Sequence, residues 1–452
     1  MNRPPSALLE TALRAARKAG ADACDAMLHE RRALRVRVRE GGVDFAIESR
    51  EAALGIRALR AGRGGLAQAV ASTRDLRPEA VEETARAAVR LAAATAPDPA
   101  VGLPGPPAAA PAGTLEPAEV GETEIRAEAL AEAALRAEEA ALAADARITR
   151  SEGSEAGSSE GLIAFASSEG FAGSYRVTRF ELSSSPVAED ATGKQTDTWR
   201  SVATRRAALS DPAAVGVEAA RRALARLGSR RVPTCEVPVI FEHRAAASLL
   251  RHLATCVSGQ AVCQQASCLA KARGRTLAPA HFSVTDDPTL ADGLASRPFD
   301  GEGVASRRTP VIASGVLESF LLDHRSARRL GSTTTGHARR APDSLPAPGP
   351  TNFWLEPGSG DLDDLISDTP RGLLVTSLFG HGFDPVSGQV SRGACGHWIE
   401  GGRLVHPVEE ITVAGNLRDL LAGVDAVAGD LLVTGGVASP SFRVGSMTVG
   451  GD

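Results

Sequence analysis

The sequence predicts an α+β fold, in which an N-terminal region of antiparallel strands and helices is followed by a β-rich C-terminal region. Near the N-terminus, alternating apolar and polar residues interrupted by glycine pairs such as Gly41-Gly42 predict strands. Alanine-rich segments with helical spacing follow, and beyond residue 256 short apolar runs alternate with Gly and Pro turns. With 452 residues, of which 43% are hydrophobic, the chain is long enough for two or three domains.

The N-terminal elements are predicted in order from these patterns. A first helix occupies the N-terminus and is followed by a meander of hairpins, with strands at residues 23–29, 33–39, 43–49, 54–60 and 66–71. The next helix begins at Pro78, where proline is tolerated in the first turn. A Ser- and Gly-rich strand set then lies between two further helices, so that these later elements occupy residues 78–94, 118–144, 147–204 and 215–227.

Changes in composition divide the chain into four segments. The Pro-, Gly- and Ala-rich stretch is typical of a connector rather than a domain. The predicted segments are the first part of an N-terminal α/β domain at 1–95, the connector at 96–117, a second part of the N-terminal region at 118–230, and the β-rich C-terminal domain at 231–452.

Composition also excludes several classes of function. Lys and Arg total 50 against 55 Asp and Glu, a net charge of −5, so no overall positive field favours nucleic acid. Aromatic residues make up only 4%, too few for a surface that stacks bases. No apolar run approaches the roughly 20 residues of a membrane span. Six cysteines in a chain of this length do not suggest a secreted disulfide framework, and charges interrupt the N-terminal helix, so we expect a cytoplasmic protein.

Residues 237–256 contain a strand-to-helix pattern with several metal-binding residue types. A zincin helix needs a second His about one turn after a His-Glu pair, so that both imidazoles share one face. Here the order is Glu242-His243, and His252 follows nine positions after His243. At roughly 100° per residue, the two histidines lie on opposite sides of a helix. They therefore cannot hold one ion.

One metal alternative stays open in the same stretch. His252 and Cys256 are four residues apart and would share a helical face, with Cys263 and Cys268 close behind. The cysteine spacing matches no common zinc finger, and buried free cysteine is an ordinary core residue. We therefore expect core packing here rather than a structural zinc ion.

Distinctive motifs occur in both regions of the chain. They are found at residues 55–67 (GIRALRAGRGGLA), 296–303 (SRPFDGEG), 333–338 (TTTGHA), 348–352 (PGPTN), 380–402 (GHGFDPVSGQVSRGACGHWIEGG) and 406–417 (HPVEEITVAGNL). In order and spacing they resemble the motifs of the TldD/PmbA family, and within it the PmbA (TldE) branch. The resemblance implies a C-terminal domain of the TldD/PmbA type.

The resemblance also implies a division of labour between two subunits. In this family the TldD subunit resembles a zinc peptidase with an HExxxH helix, and its TldE partner lacks that motif. Alignment on the preceding leucine pair places Arg251 at the first His, His252 at the Glu and Cys256 at the second His. A guanidinium has no lone pair for a cation, and residues 439–452 lack the family's late cysteine ligand. We expect no metal or cofactor in this chain, and zinc in the TldD-like partner.

Other residues of the matched motifs are candidates for contacts with a peptide or for ordering loops. We expect mainly loop-ordering hydrogen bonds from side chains in Gly- and Pro-framed turns, namely Asp300, Glu302, Asn352, Ser391 and Arg392.

Two further patterns have both a structural and a chemical interpretation. On one strand, Cys395 and His397 would share a face and could form a thiol–base pair, but a small residue filling a Gly-rich turn is the simpler interpretation. Arg57, Arg60 and Arg63 alternate with apolar residues, which is typical of the solvated face of strands.

The preferred hypothesis is a non-catalytic partner subunit. The chain would form a heterodimer with a TldD-like zinc subunit and enclose a cavity in which unfolded peptides are degraded or leader peptides trimmed. Extended peptides would add to a sheet edge, and the chain alone could form a homodimer. Because the chain lacks HExxxH, we expect it to be active only within the heterodimer.

Two other hypotheses stay open. The first is an independent hydrolase that uses a metal at His252 and Cys256 or a thiol at Cys395. The second, weaker alternative follows from the family's older name and is a protein-binding modulator of gyrase or of toxin–antitoxin systems.

Overall fold

A computed structural model describes residues 4–105, 118 and 126–451 and confirms the predicted α+β class. The elements of its N-terminal region are, in chain order, α1 (Pro5–Lys18), β1 (Ala23–Arg39), β2 (Gly42–Gly62), β3 (Gly65–Thr73), α2 (Pro78–Ala93), α3 (Ala127–Ala143), β4 (Ile148–Ser167), β5 (Ala172–Asp190), β6 (Gly193–Thr196), β7 (Trp199–Ala203) and α4 (Pro212–Leu224).

These strands form one antiparallel sheet in the order β3-β2-β1-β4-β5-β6, with β7 also pairing with β5. Strand β1 therefore lies inside the sheet, between β2 and β4. Helices α1 and α2 bury their apolar faces against one part of this sheet, and α3 packs with Val215 of α4 against another part. Burial of these apolar faces is the main contribution to the stability of the region.

The prediction of short hairpin strands is wrong for the first four strands. Residues 23–39 and 42–62 form the two continuous strands β1 and β2, and Arg31 pairs with Glu51 within their ladder. The charged residues between the predicted strands are not turn formers, and Arg32 Nε donates to Glu48 at 2.9 Å across the ladder. A turn occurs only where Gly41, with φ of 78°, allows the backbone to reverse.

Helix boundaries differ less from the predictions. Helix α2 begins at Pro78 as predicted, and α3 is described from Ala127 onward. Residues 106–117 of the predicted connector and residues 119–125 of the predicted third helix lie outside the described residues.

The C-terminal region is built from many short strands. In chain order its elements are β8 (Cys235–Phe241), α5 (His243–Cys256), α6 (Gly259–Cys263), β9 (Val284–Asp286), β10 (Thr309–Ala313), β11 (Val316–Leu317), α7 (His324–Arg329), β12 (Ala338–Arg339), β13 (Ala347–Pro348), β14 (Phe353–Leu355), α8 (Leu362–Ser367), β15 (Arg371–Phe379), β16 (Gln389–Glu400), β17 (Arg403–Asn416), α9 (Leu417–Ala422), β18 (Val424–Val427), β19 (Val437–Ala438) and β20 (Phe442–Gly450).

Two sheets enclose the main core of this region. The first has the order β17-β16-β15-β8-β20-β18 and closes on itself because β17 also pairs with β20, and the second has the order β11-β10-β9-β14-β19. Helix α5 contacts β15 of the first sheet and β14 and β19 of the second. The core contains Leu249 and Leu253 of α5 and Phe241 of the preceding strand β8, together with Phe282 and Phe353. Helix α5 is therefore held in place from both sides.

A buried network of charges joins the two regions. Arg57 on β2 donates from Nε to Asp25 at 2.8 Å and from Nη1 to Glu302 at 3.3 Å, and Arg340 Nη1 also donates to Asp25. The prediction of a solvated face is therefore wrong for Arg57, which is only 2% exposed. Its burial is tolerated because the ionised Asp25, whose pKa is lowered, compensates its charge, and because Glu302, whose pKa burial raises to about 8, adds a hydrogen-bond acceptor.

Within the described ranges, no helix combines the length and the apolar character needed to cross a membrane.

Candidate functional site

Helix α5 has one buried face and one face toward solvent, as its apolar spacing predicts. Strand β8 leads into Glu242, which adopts an extended conformation, and the helix starts at His243. The buried face carries Leu249, Leu250 and Leu253, whereas Arg251 is exposed. The side chains of Arg251, His252 and Cys256 therefore have different surroundings.

The exposed guanidinium of Arg251 makes no hydrogen bond or ion pair to any residue that the structure describes. Partial burial lowers its pKa, and the nearby Arg200 charge lowers it further. A guanidinium remains protonated in spite of such shifts, so Arg251 offers donors but no lone pair.

His252 is held by a ring contact and by a hydrogen bond. Its imidazole stacks on Phe383 with ring centroids 4.1 Å apart, and Arg392 Nη1 lies 3.1 Å from its Nε2. Because a guanidinium can only donate, Nε2 is the acceptor and its lone pair is occupied. Burial, followed by the charges of Arg392 and Arg251, lowers the pKa of His252 to about 4.

Replacing Arg392 with alanine should raise the pKa of His252 from about 4 toward its ordinary value. The substitution removes a cation and the N–H group that occupies the ring lone pair. A pH titration of the His252 ring by NMR measures the change. Arg403→Ala, at an exposed position of β17, is the control. A pKa that stays near 4 in the Arg392 variant would contradict this account.

The same titration has a consequence for stability. The folded pKa of His252 lies below its unfolded value, so the neutral ring stabilises the fold above about pH 6.5. This contribution is lost as the pH falls through about 4, and the Arg392 variant should lose less of it.

Cys256 lies inside the core next to a second thiol. Its Sγ is 3.9 Å from the Sγ of Cys268, and both residues are buried. The hydrogen bond with Cys268, together with burial, raises the pKa of Cys256. Cys263 lies apart from this pair, with its Sγ directed to the Ser326 carbonyl oxygen at 3.7 Å.

The donor set of α5 does not fit a zinc ion. Arg251 is a cation, the ring of His252 has an occupied lone pair, and Cys256 is a buried thiol. In residues 4–105, 118 and 126–451, no three side chains of His, Cys, Asp or Glu converge as the ligands of an ion would. Structural zinc sites need four ligands and catalytic sites need three.

Beside α5 lies a cleft with a volume of about 1020 Å³. Its walls come from α5, from the segment before Phe299, from β12 and β13 and from the start of β19. Among its described lining residues are five arginines and no Asp or Glu. We call it the arginine cleft, after Arg179, Arg251, Arg297, Arg339 and Arg340.

The loop between β12 and β13 forms one wall of the arginine cleft and lies directly against the N-terminal sheet. A Cβ added at Gly55 of β2 would lie 1.8 Å from the Pro342 carbonyl oxygen, so only glycine permits this approach. Arg340, in the same loop, reaches beneath the cleft to Asp25 with a fully buried side chain.

Three domain profiles of one family match consecutive parts of the chain. PmbA/TldA metallopeptidase domain 1 matches residues 24–92, the central domain 121–227 and the C-terminal domain 234–451. The chain is 34% identical over 435 residues to metalloprotease PmbA of Escherichia coli O157:H7, covering 95% of this chain and 92% of that protein. The chain belongs to the PmbA branch of the TldD/PmbA family.

Haemophilus influenzae has relatives from both branches of this family. The chain is 34% identical over 384 residues to its metalloprotease PmbA homolog, covering 84% of this chain and 83% of that protein. It is 28% identical over 251 residues to the metalloprotease TldD homolog of the same organism, covering 52% of each.

Solved structures of similar fold cover nearly the whole chain. A proposed DNA gyrase modulator from Bacteroides thetaiotaomicron has a TM-score of 0.90 at 24% identity and covers 99% of each chain. TldE from Thermococcus kodakarensis has a TM-score of 0.83 at 22% identity, covering 98% of this chain and 99% of that one. At these identities the two structures establish a common fold.

Three of the family-motif candidates, Asp300, Glu302 and Asn352, order loops beneath the cleft and do not line it. Asp300 accepts backbone N–H groups of Glu302 and Val304 at 2.9 Å, and Glu302 accepts that of His324 at 2.8 Å. Asn352 Nδ2 donates to the Asp287 carbonyl at 2.8 Å. All three predicted candidates are buried, which separates them from a ligand in the cleft.

The later family-motif residues lie in strand β16, so the prediction of Gly-framed turns for them is wrong. The glycines there permit close strand packing: a Cβ at Gly396 would lie 1.7 Å from the Leu374 carbonyl oxygen. Ser391 is exposed at the start of the strand, whereas Arg392 is buried and donates from Nε to the Phe379 carbonyl at 3.0 Å.

Cys395 and His397 are both on β16 but have different partners. Cys395 is 2% exposed, its sulfur lies 4.0 Å from the Thr376 hydroxyl, and burial raises its pKa. His397 Nε2 lies 2.9 Å from the Ala225 carbonyl oxygen. A raised thiol pKa and a histidine directed elsewhere do not favour a nucleophile–base pair.

Sequence reasoning missed four of the five cleft arginines. Arg297 lies within the SRPFDGEG motif, and Arg339 and Arg340 directly follow TTTGHA, so their motifs could have drawn attention to them. Arg179 lies on β5 of the other region and carries no local signal. The cleft exists only because the fold brings these separate segments together.

Proposed function

We propose that this chain is a non-catalytic partner subunit, which pairs with a TldD-like zinc subunit and forms part of the wall of an enclosed peptide cavity. The chemistry of α5 carries the proposal, because Arg251, His252 and Cys256 occupy the spacing of an HExxxH motif. The first is a cation, the ring of the second accepts from Arg392, and the third is a buried thiol. The hydrolytic metal would therefore come from the partner.

The relatives support an assembly of two different subunits. Haemophilus influenzae has separate proteins named PmbA homolog and TldD homolog, and this chain is more similar to the first over a much longer stretch. The names describe both as metalloproteases, which supports a proteolytic task for the assembly. The TldE structure from Thermococcus kodakarensis adds a common fold to this argument.

Metal content tests this proposal directly. We expect the purified chain to contain no stoichiometric zinc, and to co-elute with a TldD-like subunit of the same genome as a complex that holds zinc. The matched control is this chain with an HExxxH motif introduced by three substitutions, Arg251→His, His252→Glu and Cys256→His. That triple variant should still lack zinc, because the family's late cysteine is absent. Stoichiometric zinc in the unaltered chain would overturn the proposal.

A further inference from the structure

The arginine cleft holds positive charge that its own walls do not neutralise. Among the described residues, no carboxylate lies within 4.0 Å of Arg251, Arg297 or Arg339, whereas Arg179 pairs with Glu181 at 3.6 Å. Arg297 Nη2 donates to the Gly336 carbonyl at 3.3 Å, and its buried Nε has no partner in the described chain. Three guanidiniums therefore have donors available for a ligand.

Nearby residues strengthen this positive field. Arg200 and Arg392 lie close enough to Arg251 for like-charge repulsion, and partial burial together with that repulsion lowers the pKa values of Arg251 and Arg392. Bringing partly buried like charges together costs free energy, which an anionic ligand would recover. The Arg340 charge contributes less, because it is paired with Asp25 beneath the cleft.

The lining of the cleft and the sheet edge beside it favour a peptide over a nucleic acid. Its described lining contains Leu294, Leu345 and Val437 but no aromatic side chain on which bases could stack. Strand β19 begins at this wall and is the last strand of its sheet, and Gly435 next to it leaves open space where a Cβ would stand. An extended chain could approach such a backbone and add to the sheet.

The positions of the arginines are set by the fold rather than by flexible surface segments. Arg251 projects from a helix packed between two sheets, and Arg339 lies on β12. A Cβ at Gly349 would lie 2.7 Å from the Arg339 Cδ, so glycine leaves room for this side chain across the β12–β13 pair.

We propose that the arginine cleft binds the carboxylates of an acidic, extended peptide, with Arg251, Arg297 and Arg339 as the binding residues. The peptide class rests on the proposed function, and the acidic character rests on the cleft itself. Acidic segments of unfolded chains would thereby be held beside helix α5.

Fluorescence anisotropy of the intact isolated chain tests this proposal. The probes are a fluorescein-labelled, glutamate-rich unfolded peptide, the same peptide with every glutamate replaced by glutamine, and an oligothymidylate of equal charge. We expect the glutamate peptide to bind more tightly than either, with an affinity that falls as salt is added. The double variant Arg251→Gln with Arg339→Gln should weaken its binding by about tenfold or more, because charge-assisted hydrogen bonds are lost.

Arg31→Gln, on the exposed part of β1, is the matched control and should bind as the parent does. Equal affinity for the glutamine peptide, unchanged binding by the double variant, or no binding at low ionic strength would each overturn the proposal. Tighter binding of the oligothymidylate would overturn the assignment to peptides. The binding assay contains no partner subunit, so its outcome does not depend on pairing. A chain that binds the glutamate peptide but does not pair with a TldD-like subunit would refute the proposed function and leave the acidic-peptide site intact.

Discussion

Replacing Asp25 with asparagine should lower the free energy of unfolding by about 3–5 kcal/mol, the cost typical of breaking a buried ion pair. Asp25 is fully buried and accepts hydrogen bonds from Arg57 and Arg340. Burial opposes its charge, but the two guanidiniums outweigh that effect, and the pKa of Asp25 is lowered. Asparagine would leave two buried cations whose remaining nearby acidic group is Glu302, and burial raises the pKa of that group to about 8.

Urea denaturation followed by tryptophan fluorescence measures this loss. Glu48→Gln is the control, because Glu48 pairs with Arg32 on the exposed part of the same sheet, and its midpoint should stay close to that of the parent. The pair of Asp25→Asn with Arg340→Met should cost less than the sum of the two single changes, since the second removes a cation that the first leaves unpaired. An Asp25 variant as stable as the parent would contradict the importance of this network.

Truncating Glu242 to alanine should have a similar effect at the second junction between the regions. Arg222 of α4 is only 6% exposed and donates from Nη1 to Glu242 at 3.1 Å, while its guanidinium lies 4.4 Å from the centroid of the Trp199 ring. Alanine would leave Arg222 with Glu218, to which its Nε donates at 2.8 Å. We expect a loss of about 3–5 kcal/mol, and a smaller loss for Glu242→Gln, which keeps an acceptor.

Hydrogen exchange locates this effect. Because Glu242 immediately precedes α5, amides of α4 and α5 should exchange faster in the alanine variant, while those of α1 and α2 should change little. Glu236→Ala, at an exposed position of the preceding strand β8, serves as the control. Unchanged protection of α5 in the Glu242 variant would show that this pair does not hold the helix.

Local periodicity was sufficient to predict α5 and the orientation of its residues. A helix fixes the angle between positions, so the separation of His243 from His252 followed from their spacing. In the structure, His243 Nδ1 lies 3.8 Å from Asp430, whereas His252 stacks on Phe383.

Burial of charged residues could not be predicted in this way. Glu302, the second partner of Arg57, is 245 positions away from it, and Arg340 is 315 positions away from Asp25. Alternation on β2 therefore indicated only a solvated face. The strand boundaries failed for a related reason, because charged residues inside β1 and β2 are stabilised by cross-strand partners rather than by turns. The arginine cleft likewise depends on segments from both regions.

The central claim is that this chain contributes to peptide cleavage only together with a zinc subunit. The most direct measurement is the cleavage rate of an unfolded peptide at a fixed concentration of a TldD-like subunit, titrated with this chain. We expect no cleavage by this chain alone, and a rate that rises and levels off at one equivalent. Cleavage by the isolated chain that survives removal of metal contaminants, or a TldD-like subunit whose rate does not respond to the added chain, would contradict the account.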